Sequence, residues 1–317
     1  MMMFEPGPLT SLKRKVISRA LWALLPFAVC STSLRAQDMV SRDVDTLPAT
    51  EPTLVAAYGT EPHQVGELRL PPGKGPFPVV EVVHGGCWTK GFATLRNTAA
   101  LASALTSLGY ATWNIEYRQI GDKGAGWPGT FKDWAAATDF LRVLAQSQPI
   151  SLGRVAVVGH SAGAHAALWI ASRGGLPPAS DIGTEHPLPI SVAVAIDGPG
   201  DLASFVGYDS EICGKPVIAA LIGGRPKEQP ERYRLASPIK NFPSPAREYL
   251  ISSRVLTADD AEYYRARAAS KGQRVSVLNV KEGGHFDLIA PGSAVWRRQI
   301  KPFLTKALSG TDKTNEQ

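Results

Sequence analysis

The chain has 317 residues and a formal charge of +6, with 44% hydrophobic and 20% charged residues. That balance describes an ordinary globular protein, and it excludes a strongly charged disordered chain. Nor does the charge mark a nucleic-acid surface. Lys13, Arg14, Lys15, Arg19 and Arg35 against Glu5 place +4 of it in residues 1–36, which leaves +2 dispersed over the rest.

Residues 1–36 read as an export signal peptide: a basic start, the apolar run Ala20–Cys30, and Leu34-Arg35-Ala36 at the cleavage position. The run is too short to span a bilayer, and no later run reaches that length, so stable membrane insertion is not expected. Val29 before Cys30 fits lipid attachment poorly. Residues 37–52 are expected to be a flexible N-terminal segment, 53–309 a single domain and 310–317 a disordered tail.

Within 53–309, strand-like and helix-like runs alternate. Val65–Leu70 predicts an edge strand, Pro78–Val83 a strand, Asn97–Leu108 a helix and Tyr110–Ile115 a strand. Phe131–Gln146 repeats its apolar residues at helical spacing. Val155–Val158 and Val192–Ile196 are continuous apolar runs of the kind buried on both faces of a parallel sheet, and Ala162–Ser172 between them predicts a helix. Asp197–Pro245 is rich in loops. Glu248–Ile251 (strand), Asp259–Lys271 (helix), Val275–Val280 (strand) and Trp296–Leu308 (helix) close the chain. The fold class is therefore α/β: three layers, with a mostly parallel sheet between helices.

The chemistry concentrates at loop positions after these strands. Arg154–Gly163 is an apolar strand ending in Gly-His-Ser-Ala-Gly and opening directly into a helix. That is the pattern of a nucleophile elbow, with the Ser161 hydroxyl exposed at the sheet's edge. A serine alcohol is a weak nucleophile, so it needs a base and a site for the oxyanion. His285, in Gly283-Gly284-His285-Phe286 after the last strand, is the candidate base. The glycines of His84-Gly85-Gly86-Cys87-Trp88 free backbone N–H groups to join that of Ala162 around a developing oxyanion.

These residues resemble the α/β-hydrolase superfamily. More narrowly they resemble its branch of small esterases, kynurenine-formamidase-like enzymes and peptidase-like hydrolases that carry His-Gly-Gly-x-Trp. The matching segments are His84–Trp88, Glu116-Tyr117-Arg118, Gly159–His165, Ser237-Pro238 and Gly284-His285-Phe286, in family order. The resemblance implies that Ser161 is the nucleophile, that His285 is the base, and that the amides of Gly86, Cys87 and Ala162 form the oxyanion hole. The chain departs from the family at the acid. Where an aspartate is expected after the penultimate strand, the sequence reads Ser252-Ser253-Arg254, with Ser253 at the aspartate position.

Asp197 is the candidate replacement, because it stands at the carboxyl end of the apolar run Val192–Ile196, where catalytic groups of open α/β sheets gather. Pancreatic-type lipases take their acid from this same strand. Asp259 is the next candidate, although it and Asp260 sit at a helix start and suit a capping role, and Glu248 follows. His160 and His165 read as packed or hydrogen-bonded structural residues rather than ligands. Trp88 and Trp127 read equally as pocket walls and as packing under loops. Cys87 and Cys213, on loops at one end of the sheet in an exported chain, predict a disulfide. No His-Glu-x-x-His or Cys-x-x-Cys spacing occurs, so neither a metal nor a cofactor is expected.

The function these residues predict is an exported, periplasmic or secreted serine hydrolase that cleaves a small carboxylic ester through an acyl-enzyme. Two alternatives stand beside it: a formamidase-like or peptidase-like amidase on the same triad, and a catalytically silent binding protein that keeps the fold, which the missing acid motivates.

Overall fold

The computed structural model describes residues 38–309; the expected signal peptide and C-terminal tail lie outside the described residues. Eight strands form one sheet: β1 (Leu54–Ala57), β2 (Val65–Arg69), β3 (Phe77–Val83), β4 (Ala111–Ile115), β5 (Ile150–His160), β6 (Val192–Ile196), β7 (Arg247–Ser252) and β8 (Val275–Asn279). Their order is β1-β2-β4-β3-β5-β6-β7-β8. The β1–β2 and β2–β4 pairs are antiparallel, and every pair from β4 to β8 is parallel. The all-apolar β6 is buried along its whole length, as a central parallel strand must be.

Each face of the sheet carries its own core. On one, Trp134, Trp169 and Tyr264 come from the helices Gly129–Asp139, Ala162–Ser172 and Ala258–Ala269. On the other, Leu101 and Leu105 from Ala99–Thr106 and Leu304 and Leu308 from Lys301–Ser309 pack against Val80, Val82 and Val194. This is the three-layer α/β fold that the alternation predicts.

The elements differ from the sequence reading where tertiary context decides. β1 is an additional half-exposed edge strand. β5 begins at Ile150 rather than Val155, and its register against β3 shifts between Pro78 and Val79. The predicted helix Phe131–Gln146 starts at Gly129 and divides at Phe140. The stretch 197–245 holds four short helices, Leu202–Phe205, Tyr208–Cys213, Ile218–Ile222 and Pro230–Ala236. The segment read as a flexible lead-in carries the short helix Ser41–Asp45, whose Val44 is buried. Asn97 Nδ2 ties that helix down by donating to the Ser41 carbonyl and to Asp45 Oδ1.

Glu81 breaks the apolar pattern in the middle of β3. It is fully buried, accepts one hydrogen bond from the Thr138 hydroxyl and leaves Oε2 unpartnered. Burial pushes its carboxyl up to about 8, only partly offset by Thr138 and Arg173. A carboxyl raised in the folded state holds its proton more tightly there, so stability is present at low pH and is lost as pH rises from the unfolded value through about 8. Glu81→Gln should therefore flatten the fall in melting temperature between mildly acidic pH and about pH 8. It should also make the protein more stable than wild type at pH 9, by a few kcal/mol at most. Melting curves across pH check this, and an unchanged pH dependence would show that Glu81 does not control it.

Candidate active site

Ser161 stands between β5 and the helix Ala162–Ser172 with φ 57° and ψ −120°. A non-glycine residue in this region is strained, and the close packing around it holds it there. The helix start presses so tightly on β3 that a Cβ on Gly163 would lie 2.1 Å from the Val83 carbonyl oxygen. On the other flank the Ser161 amide donates to the Ile196 carbonyl at 2.9 Å, and a Cβ on Gly198 would lie 2.0 Å from the Ser161 carbonyl oxygen. Ser161 is thus wedged against the end of β6, and the next residue along that strand is Asp197.

Asp197 is fully buried, and its carboxylate meets His285 Nδ1 at 2.7 Å. It has φ 53° and donates its own amide to the Ile251 carbonyl. Four further amides converge on the carboxylate from the turn after β7: Ser253, Val255 and Leu256 on Oδ1 and Arg254 on Oδ2, at 2.9–3.1 Å. A buried charge needs such donors to replace water. With Asp197 fixed, the His285 ring is oriented through Nδ1, and Nε2 is left for chemistry.

His160 supports His285 from below. Its Nε2–H donates to the His285 carbonyl at 3.1 Å, and the two rings lie 4.2 Å apart between centroids. Burial, and then the charge on His285, hold the His160 imidazole well below its ordinary value, so the ring is neutral with Nδ1 bare.

The loop after β3 closes the third side. Gly86, Cys87 and Trp88 have φ of 98°, 53° and 52°, and this run of left-handed residues turns the chain sharply. The amides of Gly86, Cys87 and Ala162 have no hydrogen-bond partner among the described residues. Glu116 anchors the loop: its Oε1 meets His84 Nε2 at 2.8 Å, and its Oε2 accepts from the Leu95 amide. Burial alone would raise the Glu116 carboxyl, but the charge and hydrogen bond of His84 and the Leu95 and Tyr117 amides outweigh it and hold it below its ordinary value. Tyr117 stacks on His84 at 4.5 Å and donates its hydroxyl to the His84 and Gly85 carbonyls. A disulfide between Cys87 and Cys213 fastens the loop to the helix Tyr208–Cys213.

Residues 67–251 match the BD-FAE family. The chain belongs to that family. Its fold is that of solved α/β-hydrolases. It resembles a truncated carbohydrate esterase from gut microbiota at TM-score 0.67 and 19% identity, over 82% of this chain and 99% of that one. It resembles a bacterial heroin esterase at TM-score 0.62 and 22% identity, over 81% and 84%. Esterase B from Lactobacillus rhamnosis aligns at TM-score 0.66 and 15% identity, over 83% and 90%. No curated protein matches the sequence.

In this BD-FAE chain the other candidates fall away from the Ser161–His285 pair. Asp259 is exposed in the first turn of Ala258–Ala269, and Thr257 caps that helix by accepting from the Asp260 amide. Glu248 is buried on the sheet, accepts from the Tyr264 hydroxyl and is pushed by burial up to about 7. Trp88 is buried edge-on to His165, which donates to or accepts from no group of the site and meets the Ala236 carbonyl instead. Trp127 is half-buried, with its N–H on Asp181 and Arg232 over its ring. Among the described residues no cluster of His, Cys, Asp and Glu is arranged for a metal ion. The sequence reading missed the anchoring role of Glu116, although it noted the Glu-Tyr-Arg motif. His160 is the packed, hydrogen-bonded structural residue that the sequence suggests, and its partner is the carbonyl of His285 on the loop after β8.

The bridge has a direct check. When the chain is denatured without reductant, Cys87 and Cys213 should both escape alkylation, and peptide mapping should find them modified only after reduction. Alkylation of both before reduction would refute the bridge.

Proposed function

We propose that the chain is a serine carboxylesterase that cleaves a small ester through an acyl-enzyme. The observation that carries this reading is the buried Asp197 carboxylate on His285 Nδ1 beside the strained Ser161. In this mechanism His285 Nε2 takes the Ser161 proton as Oγ attacks the ester carbonyl. The imidazolium that forms is balanced by Asp197. The amides of Gly86, Cys87 and Ala162 receive the oxyanion, as donors already fixed in place when that charge develops. His285 then protonates the departing alcohol, and water repeats the sequence to free the acid and Ser161.

Two further supports stand beside the geometry. The similar structures include a carbohydrate esterase, a heroin esterase and esterase B, which favours an ester over an amide. The carboxylate at His285 supports a catalytic reading over a silent one. The disulfide favours an oxidising compartment and hence export, and no helix among the described residues is long and apolar enough to cross a membrane.

Ser161→Ala should lower turnover of p-nitrophenyl acetate by ~10⁴-fold or more with the melting temperature nearly unchanged. Asp197→Asn should lower kcat by ~10³-fold or more, because the histidine is left in the wrong tautomer, whereas Asp259→Asn should stay close to wild type. An active Asp197→Asn beside an inactive, folded Asp259→Asn would assign the acid to the other strand. His160→Leu should lower kcat by up to ~10²-fold through displacement of His285, with KM little changed. His160→Gln, which keeps an N–H within reach of the His285 carbonyl, should recover most of that loss. Equal activity of the two variants would limit His160 to packing.

A further inference from the structure

A cavity of about 240 Å³ opens at the carboxyl ends of β6 and β7, just beyond Asp197-Gly198. Pro199 and Gly200 form its near edge, and Val255 and Leu256, whose amides hold Asp197, form part of its wall. Ser161, His285 and the 84–88 loop do not line it, so it is separate from the proposed catalytic centre.

Four aromatic side chains wall this cavity: Phe205, Tyr208, Tyr263 and Tyr264. Two carboxylates, Asp201 and Asp260, stand in the same lining, and no Lys, Arg or His does. Apart from the exposed Tyr263 hydroxyl, the side-chain hydroxyl donors of the lining are already committed. Tyr264 donates to Glu248 Oε2, Tyr208 to the Arg254 carbonyl, Ser204 to the Asp201 carbonyl and Thr257 to Asp260 Oδ2. What the cavity chiefly offers a ligand is aromatic rings and carboxylate acceptors.

The cations nearby are turned elsewhere or weakly engaged. Arg254 pairs with Asp38 at 3.5 Å, and Lys240 stands 3.8 Å from Asp201 on an exposed side chain. Asp260 has no cationic partner among the described residues. The Tyr208 hydroxyl registers the surroundings: burial, and then the charges of Glu211, Asp197 and Asp260, push it above its ordinary value.

We propose that this cavity binds a small organic ammonium ion carrying an apolar or aromatic body. A cation over the ring faces meets their negative quadrupoles, Asp260 supplies the countercharge, and the apolar body fills the Val255, Leu256 and Ile239 side. Anions are repelled by the two carboxylates. A neutral hydroxylated ring finds the side-chain donors used up, apart from the exposed Tyr263 hydroxyl.

Calorimetric titration of the full chain at low ionic strength tests this with 2-phenylethylammonium, 2-phenylethanol, phenylacetate and a methyl xyloside. The ammonium should bind saturably and at least ~5-fold more tightly than the alcohol, and phenylacetate and the xyloside should not bind. Asp260→Asn keeps the acceptor for Thr257 but removes the charge; it should weaken the ammonium ~5-fold or more and leave the alcohol unchanged. Tyr263→Ala, at an exposed position, should weaken the ammonium ~3-fold. Ser161→Ala should bind the ammonium as wild type does. Equal affinity for alcohol and ammonium, xyloside binding without ammonium binding, or a folded Asp260→Asn with unchanged affinity would overturn the assignment. Loss of ammonium binding in Ser161→Ala would move the ligand to the nucleophile cleft and also overturn it. None of these outcomes bears on whether Ser161 hydrolyses esters.

Discussion

Four amides on one buried carboxylate set the geometry from which the rest of the site follows. The β6–β7 register pairs Ile196 with Ile251, so Asp197 leaves β6 level with the point where β7 ends. The chain after β7 then turns around the carboxylate and donates from Ser253, Arg254, Val255 and Leu256. An isolated carboxylate in this fully buried position would be costly; four N–H donors and one imidazole partner make it tenable. The left-handed backbone at Asp197 is a strain that this network over-determines. Here the turn after β7 supplies donors, and the neighbouring strand end supplies the carboxylate that meets His285.

The loop after β3, whose Gly86 and Cys87 amides have no partner among the described residues, is held by a different kind of anchor. Backbone amides left free for a ligand cannot also fix their own loop, so side chains from β4's end must do it. Glu116 takes His84 and the Leu95 amide, and Tyr117 covers His84 and takes two carbonyls of the loop. The disulfide to Cys213 then adds a covalent tie to the helices that follow β6. Both walls of the site therefore rest on groups that themselves point away from the reacting atoms.

Much of this was legible in the sequence because it rests on local constraints. Gly-x-Ser-x-Gly after an apolar strand, His285 on a Gly-rich loop and the continuous apolar β6 each depend on residues a few positions apart. Asp197 was legible as a strand end, but its partners were not, since nothing in Ser253-Arg254-Val255-Leu256 marks four amides as donors. The short helices of 197–245 escaped for a related reason. They run for only four to seven residues, too few to show a helical period, and Ile218–Ile222 is capped from outside itself, by Asp209 accepting from the Val217 and Ile218 amides. β1 and the early part of β5 are half-exposed, so their alternation carries little hydrophobic signal.

The turn after β7 serves the site only through its main chain, and that has a consequence for how the region can vary. Because Asp197 uses the amides of residues 253–256, their side chains are free to meet other demands. Val255 and Leu256 are buried and face the aromatic cavity, whereas Arg254 reaches outward to Asp38. Any substitution there that preserves the turn and its N–H groups should leave the acid in place while reshaping the cavity. Proline is the exception, since it removes a donor from a charge that has no water to replace it. At Val255 and Leu256, orientation of the Asp197 carboxylate and shape of the cavity are thus carried by different atoms of the same residues.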